Sequence, residues 1–299
     1  MRVFVTGASG HIGSLVVREL LDHGHQVTGL ARSDASAAAL DRAGAQVVRG
    51  SLDEPDTLAA AAAAGDGVIH LAFKHDFRDY DGAQATDRRA IEAMGTALVD
   101  SGKPFVVTAG TAVLALGASD KPGTEDTHVD PSAPRAASEY DALAFAEKGV
   151  RASVIRLAPT VHGPTDDHGF IPTLIARARE TGQAFYVGDG ANRWPAVHNL
   201  DAARLFRLAL ESAPAGSMLH GAAEEGVPFR RIAETIGAHL DVPVVRISAE
   251  DAVQQLGFIG VVAALDNPTS SAATRRLLGW EPEHPSLLDD LDAGHYFAR

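Results

Sequence analysis

The sequence predicts an α/β protein: a doubly wound parallel sheet followed by a smaller C-terminal lobe. Three observations carry this reading. From Met1 to Thr160 short β-branched runs alternate with helix-like stretches, the rhythm of βαβ units. Several of those runs are almost wholly apolar, as strands covered by helices on both faces must be. A glycine-rich turn, Gly7-Ala8-Ser9-Gly10-His11-Ile12-Gly13, joins the first run to the first helix.

Taken in order, strands are expected at residues 2–6, 26–31, 46–49, 67–71, 104–108 and 151–157. Helices are expected near 11–23, 35–43, 55–64, 84–100 and 135–148. The alanine runs at 37–39 and 59–64 fall where crossover helices are due. Alanine is the best helix former, so these runs read as packed helix and not as linker. After Gly163 the rhythm changes, with helices near 172–181 and 201–211 and a strand at 184–187. The segments 228–240, 249–256 and 274–278 are mixed and punctuated by proline. We divide the chain into a core, 1–165, and a second lobe, mainly 166–299, with some of its segments returning to the core. No repeat architecture is visible.

Composition narrows the chemistry. The 299 residues are 45% hydrophobic and 22% charged, ordinary globular values. The absence of cysteine removes disulfides, thiolate nucleophiles, Fe–S clusters and Cys-ligated zinc. A net charge of −13 disfavours general nucleic-acid binding. No apolar run approaches the ~20 residues of a membrane helix. The first apolar stretch, Val3-Phe4-Val5, runs into glycines and does not read as a signal peptide. The expectation is a soluble, cytoplasmic protein with a small-molecule substrate and neither nucleic acid nor membrane as partner.

The glycines carry a specific chemistry because a strand precedes them and an apolar helix follows. Gly7 permits the tight turn, Gly10 lets backbone approach a pyrophosphate, and Gly13 lets helix and strand pack closely. Amides around His11 and Ile12 then face the phosphates, aided by the helix dipole. This is the dinucleotide turn of a Rossmann fold, completed by Thr6 and Ser9. The second strand ends Leu30-Ala31-Arg32-Ser33. Ala31 removes the carboxylate that grips a ribose 2′-hydroxyl and repels a 2′-phosphate, while Arg32 and Ser33 supply charge and a donor. NADP(H) is therefore expected in preference, with NAD(H) possible.

The Thr-Gly-x-x-Gly-x-x-Gly turn, Gly50-Ser51-Leu52-Asp53, Val68-Ile69-His70-Leu71-Ala72, Arg156-Leu157-Ala158-Pro159-Thr160-Val161-His162-Gly163-Pro164 and Val187-Gly188-Asp189-Gly190 with Val197-His198 resemble the extended branch of the short-chain dehydrogenase/reductase family. The resemblance covers nearly the whole chain. It implies that Ser51 and Leu52 lie against adenine and that Leu71, Ala72 and Phe73 border the ribose and nicotinamide. It also implies that Ala158, Thr160 and Val161 wrap the nicotinamide beside Thr108, and that the second lobe binds substrate. Family relatives dimerise through helices matching 84–101 and 135–148, so a homodimer is expected. The apolar residues Ala90, Ile91, Met94, Ala97 and Leu98 of the first suit either a partner or the chain's own sheet.

The family's proton donor is the tyrosine of a Tyr-x-x-x-Lys pair, and here the pattern departs. None of the four tyrosines and four lysines has that spacing. Matching Arg135-Ala136-Ala137-Ser138-Glu139 to the family helix puts Arg135 at the lysine position and Pro131 at the tyrosine position. The family Ser/Thr falls near Gly110, with Thr111 next to it, and the upstream asparagine is missing. Arg135 remains able to hold the ribose. Residues that could supply or orient a proton are His75, in the loop after the fourth strand, His162, after the sixth, Thr111 and Tyr140. Phe170 and Trp194 are candidate walls of the substrate pocket, His75 a further contact, and Arg193 a partner for an anionic group. No metal is assigned, because the ligands around His162, Asp167 and His168 are too irregular. No Gly-x-Ser-x-Gly elbow supports a hydrolase. The reading is an NADPH-preferring oxidoreductase acting on a small carbonyl or hydroxyl compound. A non-catalytic NADP(H) sensor, and an epimerase or dehydratase with retained nucleotide, stay open.

Overall fold

Strands buried on both faces order themselves by their crossovers, and here they do so in a computed structural model that describes residues 1–74, 79–117, 121–133, 135–257 and 259–298. The first half runs β1 (Arg2–Thr6), α1 (His11–Asp22), β2 (Gln26–Ala31), α2 (Asp34–Ala43), β3 (Gln46–Arg49), α3 (Pro55–Ala64), β4 (Gly67–His70), α4 (Tyr80–Ala97) and β5 (Pro104–Gly110). A 3-10 segment (Thr111–Gly117), α5 (Ala136–Ala144), a second 3-10 turn (Phe145–Lys148) and β6 (Arg151–Leu157) follow. The rest comprises β7 (Thr160–His162), α6 (Phe170–Thr181), β8 (Ala184–Val187), β9 (Arg193–His198), α7 (Asn199–Ser212), β10 (Ser217–Gly221), β11 (Glu224–Pro228), α8 (Phe229–Leu240), β12 (Val244–Ile247), α9 (Ala249–Leu256), α10 (Ile259–Ala263), α11 (Ala272–Leu278) and α12 (Leu287–Asp292).

Among the described residues, seven strands form one parallel sheet in the order β10-β6-β5-β4-β1-β2-β3. The order reverses at β1, which lies between β2 and β4. Ligands of such sheets bind in the crevice at the carboxyl ends of the strands beside that reversal. On one face α1 buries Val16, Val17 and Leu20 beside Val3, Val5 and Val27. On the other, Ala90, Ile91, Met94 and Leu98 pack with Phe4, Val68, Phe105 and Phe145. That apolar stripe of α4 therefore faces the chain's own sheet. A Cβ on Gly95 would come within 2.3 Å of the Phe145 ring, so glycine there sets how closely the α4 and α5 region pack.

α4 begins at Tyr80, ahead of the sequence expectation at 84, because Asp79 caps it and accepts the Gly82 amide at 3.1 Å. The C-terminal half divides between two places. β10 extends the central sheet beside β6, and α7 buries Leu205, Phe206, Ala209 and Leu210 in the core shared with α1. The remainder builds a lobe from the sheets β11-β9-β7 and β12-β8 around Ile171, Trp194, Phe229, Ile232, Leu287 and Leu291. No described helix is long and apolar enough to cross a membrane.

Candidate dinucleotide and catalytic site

The turn after β1 is built so tightly that only glycine fits. Gly7 has φ +67°, and a Cβ on it would sit 2.8 Å from the Ala72 amide nitrogen. A Cβ on Gly13 would sit 2.0 Å from the Gly7 carbonyl oxygen. Gly10 caps α1 in an extended conformation, with no side chain bonded to the helix amides and no acid in the first turn. Those amides and the positive end of the helix dipole are thus left for an anion. Ser9 and Gly10 are exposed beside them. His11 spans from this helix start to β7 and the loop after it, its Nε2 3.1 Å from the Val161 carbonyl and its Nδ1 3.1 Å from that of Thr165.

Beneath the turn lies a buried polar chain that sequence reasoning missed. Thr6 Oγ1 accepts the Leu71 and Ala72 amides, each at 3.2 Å, and clamps the ends of β1 and β4. His70 Nδ1 is 2.6 Å from the same hydroxyl, and its Nε2 is 3.1 Å from Asp87 Oδ1. An ionised carboxylate only accepts, so Nε2 carries the proton and the Thr6 hydroxyl donates to Nδ1. Burial alone would raise the Asp87 carboxyl, but His70, Arg135 and Ser138 together hold it below the usual carboxylate range. The signal available in the sequence was a lone histidine ending an apolar strand, and Asp87 at helical spacing from Ala83 and Ala90.

After β3, Leu52 is buried, and Ser51 Oγ donates to Glu54 Oε1 at 3.1 Å while accepting the Asp53 amide at 3.2 Å. Arg32 is exposed just beyond β2 and makes no ion pair among the described residues. Its neighbour Ser33 uses its hydroxyl to cap α2, accepting the Ser36 amide at 3.1 Å. The nearby Asp34 is paired with Arg49.

Beside the ends of β4 and β5, Arg135 is held in the left-handed region at φ +67°, its amide donating to Gln84 Oε1 at 2.7 Å. The guanidinium donates to the Thr108 carbonyl at 3.0 Å and lies 3.8 Å over the Phe73 ring. Phe73 and the half-buried Leu71 and Ala72 line the exit of β4. Ala158 and Thr160 are buried and Val161 half-buried. The Thr108 and Thr160 hydroxyls are buried without a partner among the described residues.

The other catalytic expectations resolve differently. Thr111 Oγ1 is buried and accepts Asn267 Nδ2 at 3.0 Å, which ties the 3-10 segment to the C-terminal half. Tyr140 donates to the Val129 carbonyl at 2.6 Å. His162 is buried with its Nδ1 2.9 Å from Asp290 Oδ2, in a packed row with His198 and His284. His75 lies outside the described residues. In the lobe, Trp194 is fully buried, packs on Phe170 and Phe229, and donates to the Val262 carbonyl at 3.3 Å, so its ring is lobe core and offers no wall. Phe170 remains half-buried. Arg193 makes a two-pronged pair with Asp266 at 3.0 and 2.7 Å, which satisfies the charge that an anionic substrate group was expected to meet.

The buried histidines set a pH dependence. Burial, helped by His162, pulls His198 down to about 4, and burial pulls His220 to about 4 as well. The native state therefore stays unprotonated at these rings while the unfolded chain takes up protons below its ordinary value of 6.5. Their contribution to stability is complete above that value and is lost as pH falls towards 4. Denaturant titrations should give a lower unfolding free energy at about pH 5 than at about pH 7.5. An equal or higher value at the acid end contradicts the neutral burial of these rings.

Open glycine turn, uncapped helix start and order reversal at β1 together define a Rossmann-type dinucleotide-binding protein. The chain belongs to the NAD dependent epimerase/dehydratase family, which it matches over residues 3–219, and so to the extended branch of the short-chain dehydrogenases/reductases. It is similar to the uncharacterised protein C2A9.02 of Schizosaccharomyces pombe, at 49% identity over 99% of this chain and 100% of the relative. It is also 31% identical to a 2-alkyl-3-oxoalkanoate reductase of Stenotrophomonas maltophilia, over 81% of this chain and 77% of that one. Its fold matches the dTDP-glucose 4,6-dehydratase DesIV of Streptomyces venezuelae, solved with NAD and TYD bound, at TM-score 0.80 and 24% identity over 100% of this chain and 97% of that one. The chain is an NAD(P)-binding enzyme of the oxidoreductase kind.

Proposed function

We propose that the protein is an NADPH-preferring reductase of small carbonyl compounds that works without the Tyr-x-x-x-Lys pair. The observation that carries the cofactor preference is the end of β2, where Ala31 takes the acidic position and Arg32 stands exposed without an ion pair among the described residues. A guanidinium there suits a 2′-phosphate, and no carboxylate on Ala31 repels it. When bound, the reduced nicotinamide supplies a hydride. The chain's own part is to seat the diphosphate on the α1 amides and the ribose beside Arg135, whose guanidinium is fixed by Thr108 and Phe73. The reductase name of the Stenotrophomonas relative supports the direction of reaction and a 3-oxo compound as the kind of substrate.

Arg32→Ala should weaken NADPH by about 10- to 100-fold, the worth of one charge-assisted contact, and leave NADH nearly unchanged. Dissociation constants for both nucleotides, in wild type and variant, decide it. An unchanged preference removes the phosphate assignment. NADPH binding with no consumption against a panel of ketones, 3-oxo esters and quinones would make the protein a sensor.

A further inference from the structure

We propose that Tyr80 is the proton donor that stands in for the missing tyrosine, with Arg135 stabilising the phenolate that donation leaves. The proposal rests on the reductase reading above. At position 131, where the family tyrosine belongs, the structure has an exposed proline, which has no proton to give. A replacement must come from another element that reaches the same guanidinium.

α4 supplies it. Tyr80, Gln84 and Asp87 stand at i, i+4 and i+7 and share one helical face. That face meets Arg135, for Gln84 Oε1 takes the Arg135 amide at 2.7 Å. Phe73 joins the two groups, with the guanidinium 3.8 Å above its ring and the Tyr80 ring at its edge, 6.1 Å between centroids. Phe73 lies three residues past the end of β4, the strand next to β1 at the reversal of the sheet, so all three side chains stand at the crevice where the nicotinamide belongs.

The phenol is also free to act. Tyr80 is half-buried, and its hydroxyl makes no hydrogen bond among the described residues. Tyr140 is tied to the Val129 carbonyl and Tyr296 to the Gly163 amide and Asp166. His162 is likewise committed, to Asp290, and Thr111, which accepts from Asn267, is fully buried. Burial raises the Tyr80 phenol, Arg135 pulls it down and Asp87 pushes it up, with the net shift upward. The group therefore stays protonated at neutral pH, as a donor must, beside the cation that favours its conjugate base.

The step balances. The carbonyl carbon accepts hydride from the reduced nicotinamide, and the C=O π pair moves to oxygen. That oxygen takes the proton as the Tyr80 O–H bond breaks. The carbonyl is reduced to an alcohol, the nicotinamide is oxidised, and the phenolate recovers a proton from water.

Tyr80→Phe keeps the ring that packs on Phe73, so folding and NADPH affinity should hold within about threefold. With NADPH and ethyl acetoacetate, a 3-oxo ester, its kcat should fall at least ~100-fold. A second readout needs no turnover: with 13Cζ-labelled tyrosine, the resonance missing from Tyr80→Phe should titrate at higher pH in Arg135→Ala than in wild type. Tyr80→Phe retaining more than about a third of wild-type kcat overturns the proposal alone. An unmoved Tyr80 titration in Arg135→Ala overturns the role given to Arg135. Wild type that oxidises no NADPH on ethyl acetoacetate or on the wider carbonyl panel defeats the reductase reading, and this proposal with it.

Discussion

Gly13→Ala is expected to abolish dinucleotide binding, raising the NADPH dissociation constant by more than ~100-fold. The added Cβ would lie 2.0 Å from the Gly7 oxygen, 2.8 Å from the Gly7 carbon and 3.0 Å from the Ala8 Cα. All three are backbone atoms, so no flexible side chain end can turn aside. Relief requires either that α1 back away from β1 or that the peptide after Gly7 rotate. Both displace the amides that follow Gly10, and the first also loosens Val16, Val17 and Leu20 from the core. Overpacking of this kind costs about 1–3 kcal/mol. A fall in thermal midpoint should therefore accompany the loss of binding. Gly10→Ala makes the contrast, since its Cβ meets only the Gly7 oxygen, at 3.2 Å, and otherwise points into open space. That variant should keep the thermal midpoint and lose affinity, because the methyl occupies diphosphate space. Calorimetric titration with NADPH and a melting curve for each variant separate the two effects. Wild-type affinity in Gly13→Ala would mean that the turn is not the diphosphate cradle.

What the sequence revealed of this site follows from what is local. Strand β1, the glycines and α1 occupy the consecutive residues 2–22, and their spacing alone states the geometry. β1, β2, β3, β6 and β8 fall where short β-branched and apolar runs put them, and in β1 and β6 burial on the central sheet makes the run nearly continuous. β7, β9, β10, β11 and β12 did not show: β7 has only three residues, β9 carries Pro195, β11 carries Gly226 and Pro228, and β10 finds its partner far off in sequence, in β6. Trp194 and Arg193 looked functional by residue type. Their roles were decided by the Val262 carbonyl, 68 positions away, and Asp266, 73 positions away. Tyr80 was hidden for a smaller reason: the Asp79 cap starts α4 one turn earlier than the apolar spacing announces, and so brings the tyrosine onto the face that meets Arg135.

Glu139→Ala should be the most destabilising single change at the site's supporting layer, by about 3–5 kcal/mol. Glu139 on α5 and Arg156 on β6 are 1% and 2% exposed. Arg156 Nε lies 3.0 and 3.1 Å from the two carboxylate oxygens, and Nη2 lies 2.6 Å from one of them. Nη1 is buried with no partner among the described residues, so this guanidinium has no reserve acceptor there. Truncating Glu139 leaves a buried cation alone, against a total stability of only ~5–15 kcal/mol for an ordinary domain. Glu139→Gln keeps the shape and an acceptor oxygen and should lose less. Replacing both partners, as in Glu139→Leu with Arg156→Met, should recover most of the loss, because neither charge then needs solvation. The pair bears on catalysis through position alone. Arg135 is the residue that begins α5, one turn before Glu139, so the ion pair to β6 fixes the helix that carries the guanidinium to Phe73 and Thr108. Urea titrations of the three variants give the ranking, and a loss under about 1 kcal/mol in Glu139→Ala would show a pair screened by water, as at a surface.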